Sequence, residues 1–67
     1  MNVAVNGVAR ELGDGLTVAG LLAELGLPSP AGIAVAVNAR VVSRAGFASH
    51  ALRDGDEVEI IRAVAGG

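Results

Sequence analysis

The chain has 67 residues, of which 52% are apolar, and its five arginines and seven acidic residues give a formal net charge of -2. This length and composition predict a single domain with a small aliphatic core, and the lack of a basic stripe argues against nucleic acid as a partner. The sequence has no cysteine, which excludes disulfides and thiolate metal sites, and no apolar run long enough to span a bilayer, so we expect a cytoplasmic protein without a membrane partner.

The first dozen residues show the pattern of a β-hairpin. Apolar residues alternate up to the pair Asn6-Gly7 and return after it. An Asn-Gly pair between such runs favours a tight turn, because a type I′ turn needs positive φ at both central residues. The pattern predicts strands at about residues 2 to 6 and 8 to 12.

The next segment changes to a helical period. Its apolar residues recur at i, i+3, i+4 and i+7 over residues 18 to 25, the spacing of one apolar helix face. Thr17 is a suitable N-cap, and Gly26 followed by Pro28 favours the end of the helix. We expect Gly20, inside the helix, to allow close packing of the helix on a sheet.

Strand character then returns. Residues 33 to 37 alternate valine or isoleucine with alanine, and Asn38-Ala39 predicts a second tight turn into a short strand at residues 40 to 43. The following stretch has no sustained period and predicts an irregular connection.

Two apolar residues of that connection, Phe47 and Leu52, are candidates for the core. After them, Asp54-Gly55 predicts a turn that leads into the last strand. Glu57 begins the alternation of acidic and apolar residues in this strand. We expect the strand to be central because of its apolar content.

The order of the elements predicts an α+β fold. A single amphipathic helix covers one face of a mixed sheet and leaves the other to solvent or a partner. A central last strand would pair in parallel with the first, which is the arrangement of a ubiquitin-like β-grasp with four to five strands packed on one main helix. We expect this domain at residues 1 to 64 and a flexible tail at residues 65 to 67.

The titratable residues of the folded part suggest no catalytic site. His50 is the single histidine and has no nucleophile motif beside it, so we interpret it as a solvated loop residue. Asp54, Asp56, Glu57 and Glu59 have the wrong glycine spacing for a calcium loop. We interpret them as turn and solvated strand residues with a secondary role in meeting a basic partner surface, and we expect no metal site.

The last strand changes character toward its end. Ile61 and Ala63 continue the phase of Glu57 and Glu59, which places apolar side chains on a face that begins acidic. Either a bulge shifts the register, or this face binds a partner, and the sequence leaves both interpretations open. Ile61, Ala63 and Val64 are therefore candidate partner-binding residues.

The chain closes on Gly66-Gly67. Two glycines fit a frayed end, but they also form a thin thread with an unhindered carboxylate. A carboxylate is a poor electrophile and must be activated before a nucleophile can attack it. The rest of the chain has no residues for that activation, so the hypothesis requires another enzyme.

The stretches "VAVN", "VVSR" and "LRDGDEVEIIRAV" and the ending "AVAGG" resemble the ubiquitin-like sulfur carriers, most closely the ThiS family of the thiamine pathway. The resemblance covers essentially the whole chain. It departs at Ser43, where such sequences often carry a proline before the arginine.

The resemblance implies a carrier that is not itself an enzyme. A ThiF-like adenylyltransferase would use ATP and magnesium to adenylate the Gly67 carboxylate. Sulfur from a cysteine desulfurase would replace AMP, and the thiocarboxylate would serve a ThiG-like thiazole synthase. Gly66 and Ala65 would give the enzymes access to the terminus, and the chain itself would bind no cofactor.

Three alternatives stay open. The small subunit of molybdopterin synthase shares the fold and the terminus. A ubiquitin-like protein modifier shares the activation step but transfers its terminus to lysine amines. A β-grasp module without covalent chemistry would bind partners through its open face and would not need the glycines.

Overall fold

The computed structural model describes residues 1–27 and 31–62, which contain five strands and one α-helix. A short 3-10 turn at Arg44–Gly46 lies within the predicted irregular connection. The main elements are β1 (Asn2–Val5), β2 (Val8–Glu11), α1 (Val18–Glu24), β3 (Ile33–Val37), β4 (Arg40–Val42) and β5 (Glu57–Arg62).

The strands form one sheet in the order β2-β1-β5-β3-β4. β5 is central, and it runs parallel to β1 and antiparallel to β3. The outer pairs, β1 with β2 and β3 with β4, are antiparallel hairpins. The predicted mixed β-grasp sheet, with the first and last strands parallel, is confirmed.

Both hairpins turn over two residues with positive φ. Asn6 and Gly7 have φ of 50° and 81°, and Asn38 and Ala39 have φ of 50° and 66°. Positive φ at both central residues is the requirement of a type I′ turn, whose twist matches that of the flanking strands. The two predicted turns are confirmed, and the strands that follow them are each one residue shorter than predicted.

Local side-chain and backbone bonds define both ends of α1. The Thr17 hydroxyl accepts a hydrogen bond from the Gly20 amide at 3.1 Å, as expected of an N-cap. At the other end the Leu27 amide donates to the Leu22 carbonyl at 2.7 Å, beyond Gly26 with its φ of 78°. This is the six-to-one bond of a Schellman motif, so the predicted end of the helix is confirmed.

The expectation for Gly20 is wrong about its neighbour. A Cβ added at Gly20 would lie 2.6 Å from Cδ1 of Leu16, which precedes the helix in the sequence, and 3.4 Å from the Thr17 hydroxyl oxygen. The space that the glycine leaves is therefore filled by the half-buried Leu16 side chain and not by the sheet.

The core lies between α1 and one face of the sheet. Phe47 and Leu52 of the irregular connection are buried in it, as predicted. The buried residues from the helix and from alternating strand positions have exposures of 9% or less, which leaves the opposite sheet face open. They are Val3, Val5, Val18, Leu21, Leu22, Val35, Val37 and Val58, and Leu12, Phe47 and Leu52 from the connections complete the core.

Candidate functional site

The second half of β5 keeps its register against β3. Residues 58 to 62 pair one by one with residues 37 to 33, including Ile61 opposite Ala34. A bulge in this ladder would have put two residues opposite one. Of the two interpretations left open by the sequence, the register shift is therefore wrong for the described part of β5, and Ile61 lies on the open face with 64% of its surface exposed.

Ile61 belongs to a group of small and branched apolar residues on the open face. Val41 of β4 is 82% exposed and lies opposite Ala36, which in turn lies opposite Glu59. The residues Ala34, Ala36, Val41 and Ile61 form what we call the apolar patch. Glu57 and Glu59 continue the same face toward the start of β5, so the patch has an acidic border.

The acidic residues before β5 hold the turn that starts the strand. The Asp54 carboxylate accepts a hydrogen bond from the Asn2 amide at 2.7 Å, and the Asp56 carboxylate accepts one from the Arg53 amide at 2.8 Å. Gly55 has a φ of 88°, as a tight turn requires. The interpretation of this cluster as turn chemistry is confirmed.

Two asparagines of the hairpin turns also bind the backbone of β5. The Asn6 side chain bonds to Ile60, and the Asn38 side chain bonds to Glu57. The sequence predicts both asparagines as turn residues alone. A preference for positive φ explains an asparagine there completely, so the sequence carried no separate signal for the second role.

His50 lies in the connection, is half-buried and lines a groove beside β4. Its carbonyl accepts a hydrogen bond from the Val18 amide at 3.0 Å, which ties the connection to the start of α1. Within residues 1–27 and 31–62, no group of three or more histidine or acidic side chains is placed to hold a metal ion. The same residues contain no helix with the length and hydropathy needed to cross a membrane.

The α-amino group of Met1 is held at the open end of the first hairpin. It donates to the Leu12 carbonyl at 2.7 Å and to the Asp14 carboxylate at 3.4 Å, and the Glu11 carboxylate lies 3.5 Å away. Burial opposes its charge, but the bond to Asp14 and the charges of both carboxylates outweigh this and raise the pKa of the amine above its ordinary 8.0.

Most of the predicted site residues follow the last described residue. Arg62 ends β5 and is exposed. Ile61 is thus the one predicted partner-binding residue that can be placed. The others lie outside the described residues, as does the predicted boundary between domain and tail; they are Ala63, Val64, Ala65, Gly66 and Gly67.

The fold and the Gly-Gly sequence together define a ubiquitin-like protein of the β-grasp class. The model of the ThiS family matches residues 3–67, which include both terminal glycines. The chain therefore belongs to the ThiS family.

Similar proteins agree with this assignment. The chain is 36% identical over 67 residues to the sulfur carrier protein ThiS of Escherichia coli, and the match covers 100% of both proteins. It is 37% identical over 67 residues to a thiazole synthase of Paramagnetospirillum magneticum, of whose length it spans 20%. The crystal structure of the thiamine biosynthesis protein ThiS from Geobacter metallireducens superposes with a TM-score of 0.84 at 32% identity, covering 100% of both chains.

Proposed function

We propose that this chain is a sulfur carrier whose Gly67 carboxylate is adenylated by a partner enzyme and converted to a thiocarboxylate that donates sulfur for thiazole formation in thiamine biosynthesis. The observation that carries this proposal is the family match, which runs through Gly66 and Gly67. The full-length relative from Escherichia coli, named a sulfur carrier protein, supports it.

The chemistry requires two displacements at the terminus. A carboxylate oxygen of Gly67 attacks the α-phosphorus of ATP, and pyrophosphate leaves. A sulfur nucleophile such as hydrosulfide then attacks the acyl carbon, AMP leaves, and a thiocarboxylate is formed. Glycine suits both steps because it places no side chain next to the reacting carbon. ATP and magnesium belong to the partner enzyme, and the need for ATP favours a cytoplasmic location.

The proposed partners are a ThiF-like adenylyltransferase, a cysteine desulfurase as the indirect source of sulfur, and a ThiG-like thiazole synthase. For the third, the Paramagnetospirillum relative gives support, because a region similar to the whole of this chain occurs within a protein named thiazole synthase. A carrier and its acceptor joined in one polypeptide meet at a high effective concentration.

We also propose that the apolar patch is the surface on which the activating enzyme docks. Ile61 is 64% exposed and comes shortly before the reactive terminus, so an enzyme bound there is within reach of Gly67. The acidic border of the patch favours an enzyme surface with basic residues around an apolar centre.

A matched pair of variants tests the docking surface. Ile61→Ser is expected to raise the KM for adenylation about tenfold, because the few contacts that dominate the binding energy of an interface cluster near its centre. Val8 is 59% exposed, but it pairs with the buried Val5 and so lies on the helix side of the sheet, away from the patch. Val8→Ser should therefore change KM less than about twofold. Equal effects of the two substitutions would assign the loss to general stability and remove the patch from the interface.

The sulfur-carrier proposal is tested by charging the whole chain. Incubation with a ThiF-like enzyme, ATP, magnesium and sodium sulfide is expected to replace one terminal oxygen by sulfur, which intact mass spectrometry detects. A chain with an amidated Gly67 is the control, since it keeps the length and removes the carboxylate. An unchanged mass of the wild-type chain, with an enzyme that charges its own carrier, would contradict the proposal.

A further inference from the structure

The two sides of β5 are supported unequally toward its end. On one side, β3 pairs with β5 as far as Arg62. On the other side, the paired residues of β1 end with Val5 opposite Val58, because the chain then turns into the first hairpin. Among residues 1–27 and 31–62, the last four residues of β5 therefore have a neighbouring strand on one side only.

The Asn6 side chain takes the place of the missing strand. Its Oδ1 accepts a hydrogen bond from the Ile60 amide at 2.8 Å, and its Nδ2 donates to the Ile60 carbonyl at 3.2 Å. The backbone amide of Asn6 donates to the Val58 carbonyl at 2.9 Å. A primary amide offers the same donor and acceptor as a peptide group, so Asn6 continues the ladder of β1 for one more step.

We propose that Asn6 is a positioning residue for the carrier terminus, an inference that rests on the proposed function. By binding both polar groups of the Ile60 backbone from the side opposite β3, Asn6 fixes the direction in which the chain leaves the sheet at Arg62. A strand held by one ladder alone can rotate about that ladder, whereas bonds on both sides fix its plane.

The distance from Arg62 to the reacting group makes this direction matter. Five residues follow Arg62, and a fully extended chain of that length spans about 17 Å. A change of about 10° in the direction of β5 would move the terminal carboxylate by about 3 Å when an enzyme draws the tail out, and a misplacement of about 1 Å already lowers the rates of enzymatic reactions.

The second hairpin provides a matched control. Asn38 occupies the same turn position with the same φ of 50°, and its Oδ1 accepts a hydrogen bond from the Glu57 amide at 3.0 Å. Its Nδ2 donates to the Asp56 carboxylate, also at 3.0 Å. Asn38 thus holds the start of β5 as Asn6 holds its end, and both sets of bonds are exposed.

Glycine substitutions separate the side chain from the turn. Glycine adopts a φ of 50° without strain, so Asn6→Gly and Asn38→Gly keep the turn geometry and remove only the side-chain bonds. Both variants should fold and lose similar stability. Only Asn6→Gly removes a contact at the tail end of β5.

The test compares adenylation of the wild-type chain and the two variants by a ThiF-like enzyme, followed by pyrophosphate release. For Asn6→Gly we expect kcat to fall about tenfold with KM changed less than about twofold, because docking is intact while fewer bound molecules present the carboxylate correctly. For Asn38→Gly we expect both constants within about twofold of wild type. Wild-type kcat in Asn6→Gly, or an equal loss in Asn38→Gly, would overturn the positioning role.

An NMR measurement separates this inference from the proposed function. In Asn6→Gly the amide of Ile60 should lose its hydrogen-exchange protection, and residual dipolar couplings should show a changed orientation of the Arg62 amide, where the chain leaves the sheet. If the wild-type chain is never converted to the thiocarboxylate, the proposed function fails. Unchanged dipolar couplings in Asn6→Gly would overturn the positioning role, whatever the result of that reaction.

Discussion

The β1–β2 and β3–β4 hairpins flank the same central strand, and each turns over two residues that begin with an asparagine at a φ of 50°. The second turn residue differs, being Gly7 in the first hairpin and Ala39 in the second. The asparagine side chains also bind opposite ends of β5, at Ile60 and Glu57.

This difference separates two properties of a turn residue. The backbone conformation of each asparagine follows from the two-residue turn and is the same in both hairpins. The partner of its side chain depends on which neighbour of β5 the hairpin is. Because β1 is parallel to β5 and β3 is antiparallel to it, the two turns lie at different points along the central strand.

The largest effect is expected where the two hairpins meet. Val58 is 1% exposed and lies opposite Val5 in one hairpin and Val37 in the other. Val58→Ala should lower the free energy of unfolding by about 2 kcal/mol, measured by denaturant titration, because it leaves a cavity in the core.

The control is Val41→Ala at an 82% exposed position, which should change the free energy of unfolding by less than about 0.5 kcal/mol. Hydrogen exchange in Val58→Ala should speed up in both hairpins together. Retained protection in one of them would mean that β5 does not anchor the two equally.

Aspartate substitutions distinguish the surroundings of the two asparagines. Asn38→Asp places a second carboxylate against Asp56, about 3 Å away, and should lower the free energy of unfolding by about 1 to 2 kcal/mol, less in 1 M salt because exposed charges are screened. Asn6→Asp removes the hydrogen bond donated to the Ile60 carbonyl. The resulting decrease in the free energy of unfolding should depend less on salt than the decrease in Asn38→Asp. Thermal unfolding at low and high salt measures both, and the same salt dependence for the two variants would contradict this distinction.

Interchanging glycine and alanine at the second turn residues, Gly7 and Ala39, should change the free energy of unfolding in opposite directions. Ala39 carries a Cβ at a φ of 66°, so Ala39→Gly should raise the free energy of unfolding by about 0.5 to 1 kcal/mol. Gly7→Ala introduces the same strain at a φ of 81° and should lower the free energy of unfolding by about 1 kcal/mol. Destabilisation by Ala39→Gly would show that the Ala39 methyl group makes contacts that outweigh the strain.

The smallest expected effect concerns the open end of the first hairpin. The pKa of the Met1 amine is raised in the folded chain, so the charged amine stabilises the fold. This stabilisation is fully present below the unfolded value of 8.0 and is lost as pH rises through the folded pKa. The melting temperature should therefore decrease as pH rises above 8.0.

The composition makes this titration easy to isolate. The sequence has no lysine, cysteine or tyrosine, so no side chain is expected to titrate at its ordinary pKa between about 8 and 12. A chain with an acetylated amino group is the control, and its melting temperature should not change over that interval. A parallel decrease in both proteins would assign the effect to another group.

Features that depend on neighbouring residues could be predicted from the sequence. The turn at Asn6-Gly7, the Thr17 cap and the helix end at Gly26 were all predicted, because each depends on the φ preferences and hydrogen bonds of a few consecutive residues. The position of the last strand followed from a coarser argument, since one amphipathic helix covers only one sheet face and an apolar strand belongs at the centre.

The folded structure was needed to show how distant segments meet. It placed Leu16 beside Gly20, kept β5 in register so that Ile61 lies on the open face, and joined Asn6 to Ile60, 54 residues away in the sequence. An asparagine or a glycine has the same local preferences whatever lies across from it. The packing of the whole chain sets its partner. For this reason the sequence pattern does not predict that Asn6 binds the backbone of Ile60.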